Sequence, residues 1–131
     1  MKLEEEVKKF MDTKNKSMIT ATEYQEKAKT TAIFPANTAL EYLSLGLVGE
    51  AGEVANKVKK IIRDNKVAGT QQADYMHFSN DIASEIGDVL WYCAMMAKEV
   101  GVSLDEIMKE NLKKLHGRKV RGTLHGSGDN R

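Results

Sequence analysis

Three windows of this chain carry the same helix-start signature. Thr20-x-x-Glu23, Thr38-x-x-Glu41 and Ser103-x-x-Glu106 each precede an amphipathic run. In such a capping box the hydroxyl accepts from the backbone N–H three residues on, and the acid accepts from the N–H of the cap. Strand signals are missing by contrast: β-branched alternation is nowhere sustained, and Pro35 is the one proline. The pattern predicts an all-α fold with four main helices, over 20–32, 38–63, 79–100 and 103–119. Gly101 is a plausible stop for the third. Residues 1–17 read as an N-terminal extension containing a short helix. Residues 64–78 read as a polar connection. At 131 residues the chain fits one domain, here 18–121. Its last ten residues, 122–131, offer nothing to pack with and read as a flexible tail.

Composition narrows the functional classes. Lys and Arg total 20 against 19 Asp and Glu, a net charge of +1, so global charge makes no case for nucleic acid or an anionic membrane. A single cysteine rules out an internal disulfide, and the three histidines show no metal-ligand spacing. The longest charge-free stretch, residues 30–40, holds polar residues and a proline and is far short of a membrane span. No basic start followed by an apolar run suggests a signal peptide. A soluble, cytoplasmic domain is expected.

Projected at about 100° per residue, three helix faces depart from plain amphipathicity. Leu43, Leu47, Val54, Val58 and Ile61 form one stripe, with Glu50 inside it and Glu53 on its flank. A carboxylate among core-facing leucines is costly unless its charge is compensated. Ile82, Ile86, Val89, Cys93 and Val100 form the third helix's stripe, with Glu85, Asp88 and Tyr92 along one edge. In the fourth, Leu104, Met108 and Leu115 surround Asn111, and Lys114 and Arg118 follow its edge. One i,i+3 acid pair is ordinarily a solvated face. Two, on consecutive helices beside apolar stripes, converge if those helices pack antiparallel. Four such carboxylates cannot all stay ionised without a counter-ion. Hard oxygen donors favour Mg²⁺ or Mn²⁺ over zinc. Lysine and arginine near a helix C-terminus are ordinary dipole partners, but beside a carboxylate–metal cluster they also suit a phosphate-bearing ligand.

Residues 89–97 are apolar on every face, which marks a helix buried on all sides. Four helices in so short a chain do not easily surround it. A homodimer or a dimer of dimers is therefore expected, with Trp91 and Met95 near an interface; cover from residues 1–16 is the alternative.

These motifs resemble those of the MazG-like nucleotide pyrophosphohydrolases. Gly46-Leu47-Val48-Gly49-Glu50-Ala51-Gly52-Glu53-Val54, with Lys57 and Lys60, resembles the first family motif. Glu85-Ile86-Gly87-Asp88-Val89-Leu90-Trp91-Tyr92 resembles the second, and Asn111, Lys114-Leu115 and Arg118 the third. The resemblance implies a helical bundle completed by dimerisation, which hydrolyses a nucleoside triphosphate between its α and β phosphates with Mg²⁺. On that footing Glu50, Glu53, Glu85 and Asp88 hold the metal, and Glu53 orients or deprotonates water. Lys57, Lys114 and Arg118 meet phosphate, while Tyr92 and Asn111 meet sugar or base.

Three other readings stay open. A di-iron carboxylate bundle characteristically uses Glu-x-x-His pairs, and neither Glu50 nor Glu85 has His three residues later. A dimeric interaction module could use the basic end of the fourth helix, Lys113, Lys114, Arg118, Lys119 and Arg121. A phosphoribosyl-ATP pyrophosphohydrolase would share the architecture.

Overall fold

The structure is a computed structural model and describes residues 5, 6, 9, 18–64 and 78–129. Most of the N-terminal extension and of the 64–78 connection lies outside the described residues. Four helices, α1 (Ala21–Lys29), α2 (Ala39–Arg63), α3 (Ser79–Glu99) and α4 (Leu104–Val120), make up the domain, and the described residues contain no strand. The all-α expectation holds.

Local chemistry explains where each helix begins and ends. Thr20 caps α1 with a complete capping box: its hydroxyl accepts from the Glu23 N–H, and Glu23 accepts from the Thr20 N–H at 2.8 Å. The helix stops at Lys29, short of the expected residue 32. There the hydroxyls of Thr30 and Thr31 donate to the carbonyls of Lys27 and Ala28 and so satisfy the last turn. Thr38 does not form its expected capping box. A 3-10 turn, Ala36–Thr38, follows Pro35 and feeds straight into α2, leaving Thr38 at ψ 27° instead of the extended backbone a cap requires. Gly101 ends α3 at φ 75°. Its N–H donates to the Lys98 carbonyl and that of Val102 to Ala97, the paired bonds of a Schellman turn. Ser103 then caps α4, its hydroxyl accepting from the Glu106 N–H at 3.1 Å.

Helices α2 and α3 pack along their length, and α1 and α4 pack on α3. The core centres on Ala28, Leu43, Ala94 and Met95, with Tyr24, Phe34, Trp91, Tyr92 and Leu104 packed around it. Leu43 and Ile61 are buried as their stripe predicts, whereas Leu47, Val54 and Val58 are half-buried. The α3 stripe needs correcting. Ala94, Met95 and Ala97 are the buried residues, while Ile86 and Val100 are exposed. Residues of α1 meet α3 near Trp91 and Ala94, so burial concentrates there, where two alanines let neighbouring helices approach. Met95 is accordingly buried within the chain, whereas Trp91 is half-buried. Met95 is 1 % exposed, and the Trp91 indole N–H donates to the Ala28 carbonyl and the Thr31 hydroxyl.

Gln25 locks α1, α3 and α4 together. Its side-chain amide donates to the Ala94 carbonyl at 3.1 Å and accepts from the Leu104 N–H at 3.1 Å. Nothing in the sequence pattern singled it out. In α4 the expected stripe is not a core face: Leu104 is half-buried, but Met108, Asn111 and Leu115 are exposed. The tail also acquires a partner that the sequence did not offer, because Gly128 and Asp129 return to Arg118. None of the described helices is long and apolar enough to cross a membrane.

Candidate metal centre

Burial of Leu43 and Ile61 sets the rotation of α2. Glu50 shares their side of the helix, so it faces α3 as a matter of register. From α3, Glu85 and Asp88 stand one turn apart and present carboxylates on the same side. The outcome is a cluster: one carboxylate oxygen from each of Glu50, Glu85 and Asp88 lies within 4.8 Å of the other two. Glu53 stands outside this donor set. It is exposed on the next turn of α2, close enough for its charge to act on Glu50.

The electrostatics are those of a site short of positive charge. Glu50's carboxyl is pushed above the ordinary glutamate range by partial burial, then by the charges of Asp88, Glu85 and Glu53. The one cation paired to the cluster among the described residues is Lys57, whose ammonium lies 3.6 Å from Glu85. It leaves a surplus of negative charge at converging hard oxygen donors, which is what a divalent cation requires. No histidine or cysteine belongs to this group. Beyond Lys57 opens a cavity of about 210 Å³ lined by Lys57, Lys60, Ile61, Asp64, Phe78 and Asp81.

Tyrosines frame the cluster. Tyr92, one turn beyond Asp88, bonds the Tyr42 side chain, and burial together with Tyr42, Glu50 and Asp88 raises its hydroxyl pKa. Its ring stands edge-on to Trp91 at 5.0 Å, and Phe34 stacks on Tyr42 at 5.7 Å. Gly46 makes room for it: a Cβ there would sit 2.0 Å from the Tyr92 ring. From α1, Tyr24 is pushed up by burial, then by Asp88 and Cys93, which places it beside the cluster too. Tyr24 and Tyr42 escape a one-dimensional reading because only helix crossing brings Tyr24 toward Asp88 and Tyr42 to Tyr92. The sole hint was an aromatic on the same α1 segment as the capping box.

The α4 residues sit differently. Asn111 and Lys114 line a shallow cavity of about 380 Å³ with Ile107 and Glu110. The described ionic partner of Lys114 and Arg118 is Asp129 of the tail. Within one chain, then, Glu50, Glu85, Asp88, Lys57 and Tyr92 come together, and Asn111, Lys114 and Arg118 form a second group on α4.

Comparison with known proteins agrees with the motif order. The MazG nucleotide pyrophosphohydrolase domain matches residues 38–122, which span α2, α3 and α4 and hold the whole carboxylate cluster. The "Gene 37 protein" of Mycobacterium phage L5 is 46% identical over 114 residues, covering 82% of this chain and 96% of the phage protein. No solved structure gives a significant match. With most of its length matched and three of the four motif acids brought together on adjacent helices, the chain belongs to the family of the MazG nucleotide pyrophosphohydrolase domain.

Proposed function

We propose that this protein hydrolyses nucleoside or deoxynucleoside triphosphates between the α and β phosphates, releasing a monophosphate and pyrophosphate, with Mg²⁺ and with Mn²⁺ as a possible substitute. The observation that carries the reading is the convergence of Glu50, Glu85 and Asp88 within 4.8 Å. A divalent ion bound there supplies neutralisation of phosphate oxygens and acidification of a water. Glu50, Glu85 and Asp88 would be its ligands. Glu53, next to but outside that donor set, is suited to complete the shell or to take the proton of the attacking water. Lys57 already lies at the cluster and can exchange Glu85 for a phosphate oxygen, stabilising charge that develops on the leaving group. Tyr92 is positioned to meet the sugar or base. Asn111, Lys114 and Arg118 act at the substrate's far end or from a second copy of the chain.

The assembly is proposed to be a homodimer or homotetramer. On α2, Leu45 at 76 % exposure and Val48 at 72 % lie on the side away from the core stripe, and Ile62 at 54 % lies on its flank. A solvated helix face does not ordinarily bear such a row. Val48→Asp should shift the mass measured by light scattering toward the monomer. A cytoplasmic location, with neither nucleic acid nor membrane as partner, fits this reading.

The decisive assay is pyrophosphate release from a panel of NTPs and dNTPs with Mg²⁺ or Mn²⁺, with phosphoribosyl-ATP included. Turnover that depends on metal and drops by a factor of about 10² or more in Asp88→Asn and Glu85→Gln is expected. Folded, metal-loaded protein that is inert toward every nucleotide would refute the proposal.

A further inference from the structure

The tail's path over α4 is built by local geometry. Arg121 caps the helix, and Gly122 turns the chain at φ 70°. The Gly122 N–H donates to the Lys119 carbonyl, and the Thr123 N–H to the Arg118 carbonyl at 2.8 Å, a second Schellman turn. Gly126 at φ 113° and Gly128 at φ 86° continue the reversal, using backbone that side-chain-bearing residues rarely adopt. The segment thereby comes back along the helix it has just left.

It ends against the two cations of the third motif. Arg118 Nη2 donates to the Gly128 carbonyl at 3.4 Å, to the Asp129 carbonyl at 3.3 Å and to the Asp129 carboxylate at 3.2 Å. Lys114 Nζ lies 3.6 Å from the same carboxylate oxygen. Beneath this cover the Arg118 side chain is 8 % exposed, while Asp129 is 85 % exposed. Arg118 Nε is buried with no hydrogen-bond partner among the described residues. The guanidinium thus retains donor capacity that the tail does not use. A buried guanidinium whose partners come largely from an exposed, glycine-rich segment is held in place by something easily removed.

With the tail in place, the Arg118 side chain is almost wholly shielded from solvent and bonded to Gly128 and Asp129. We propose that residues 122–129 form an anionic strap in which the Asp129 carboxylate occupies the Lys114–Arg118 pair until the polyphosphate chain of a nucleotide displaces it. This deepens the proposed function and rests on it for the identity of the ligand. The chemistry is an exchange of one anion for another of higher charge. Carboxylate and phosphate oxygens both accept from guanidinium, and a triphosphate offers more acceptors and more charge than one aspartate. The free Nε would take one of the extra oxygens. The strap would therefore hold the pair closed to weaker anions and set a threshold for substrate binding.

The test separates the strap from the reaction by using inorganic tripolyphosphate and calorimetry with the metal chelated. Wild type is expected to bind it. Asp129→Asn should bind it about two- to fivefold tighter, the scale of an exposed ion pair. Gly128→Val should tighten binding in the same direction without altering charge, because valine resists the positive φ that closes the strap. Asp105→Asn, which removes the same charge from the Lys109 pair at the start of α4, should leave affinity unchanged. Equal or weaker binding by Asp129→Asn, or no binding by either protein, would overturn the strap. Pyrophosphate release is measured on the same samples. Tighter tripolyphosphate binding with no hydrolysis of any nucleotide keeps the strap and sinks the proposed function; hydrolysis with unchanged affinity does the reverse.

Discussion

Replacing Glu50 by glutamine should stabilise the metal-free protein and abolish most of its stabilisation by Mg²⁺. Glu50 faces two carboxylates, Glu85 and Asp88, with donor oxygens within 4.8 Å. At that distance each like-charge pair costs about 1 kcal/mol in a water-like medium and several times more in a poorly solvated one. Lys57, 3.6 Å from Glu85, offsets part of this, and the site is open to solvent. A net gain of about 1 kcal/mol on removing the Glu50 charge follows, or roughly 3–5 °C in melting temperature for a domain of this size. The pH dependence has a definite sign. Glu50's carboxyl is raised in the folded state, so its contribution is favourable below the unfolded-state value and is lost as pH rises through the folded one. The variant should therefore melt higher than wild type at neutral pH with chelator present. That advantage should shrink as pH falls and vanish below about pH 3, where a glutamate is protonated in the folded and the unfolded chain alike. Saturating Mg²⁺ reverses the order, since a ligand at a hundredfold excess over its Kd adds about 2.7 kcal/mol to a protein that binds it. Thermal melts by circular dichroism, at one fixed protein concentration, measure all three arms. A Glu50→Gln protein that melts lower than wild type in chelator at neutral pH, or that gains as much from Mg²⁺, would show that the three acids are not an electrostatically strained ligand set.

Other substitutions probe the frame around the site. Gly46→Ala puts a methyl group 2.0 Å from the Tyr92 ring, so it should destabilise by about 1–3 kcal/mol in urea unfolding and displace Tyr92 from the acids. Gly49→Ala, with open space around its Cβ, is the contrasting case and should gain about 0.5–1 kcal/mol from helix propensity. Gln25→Leu leaves the first-turn Leu104 N–H without its acceptor and removes a second donor from the Ala94 carbonyl, which should cost about 1–3 kcal/mol; denaturant midpoints will show it. Thr20→Ala removes the α1 cap, at about 1 kcal/mol, and amide exchange in residues 21–24 should rise before global stability changes much.

The comparison of sequence with structure divides along a physical line. Capping boxes and glycine stops act within a few residues, so three of the four helix starts or stops they mark come out as read. Thr38 is the exception, since the geometry set by Pro35 pre-empted its cap. The acid pairs were legible for a similar reason. Spacing of three or four places side chains on one helix face whatever the surroundings, and Glu50 between Leu43 and Ile61 stood out as a charge on a burying face. What local pattern left open was which face of α3 would be covered. The stripe of Ile86 and Val100 is as apolar as the one actually buried, and the choice went to Ala94, Met95 and Ala97 because α1 and α2 close on them.

Local chemistry thus suffices to specify an all-helical chain, most of its helix ends, and the spacing of acids on α2 and α3 that carries the family resemblance. Tertiary packing alone decides that Glu50, Glu85 and Asp88 converge while Glu53 stays outside, that Tyr24 comes near Asp88 and Tyr42 bonds Tyr92, and that Asp129 pairs with Arg118. The reason is geometric. Each of these contacts joins residues on different elements, and their distance depends on how helices cross and where the chain reverses, which no periodicity along one helix encodes.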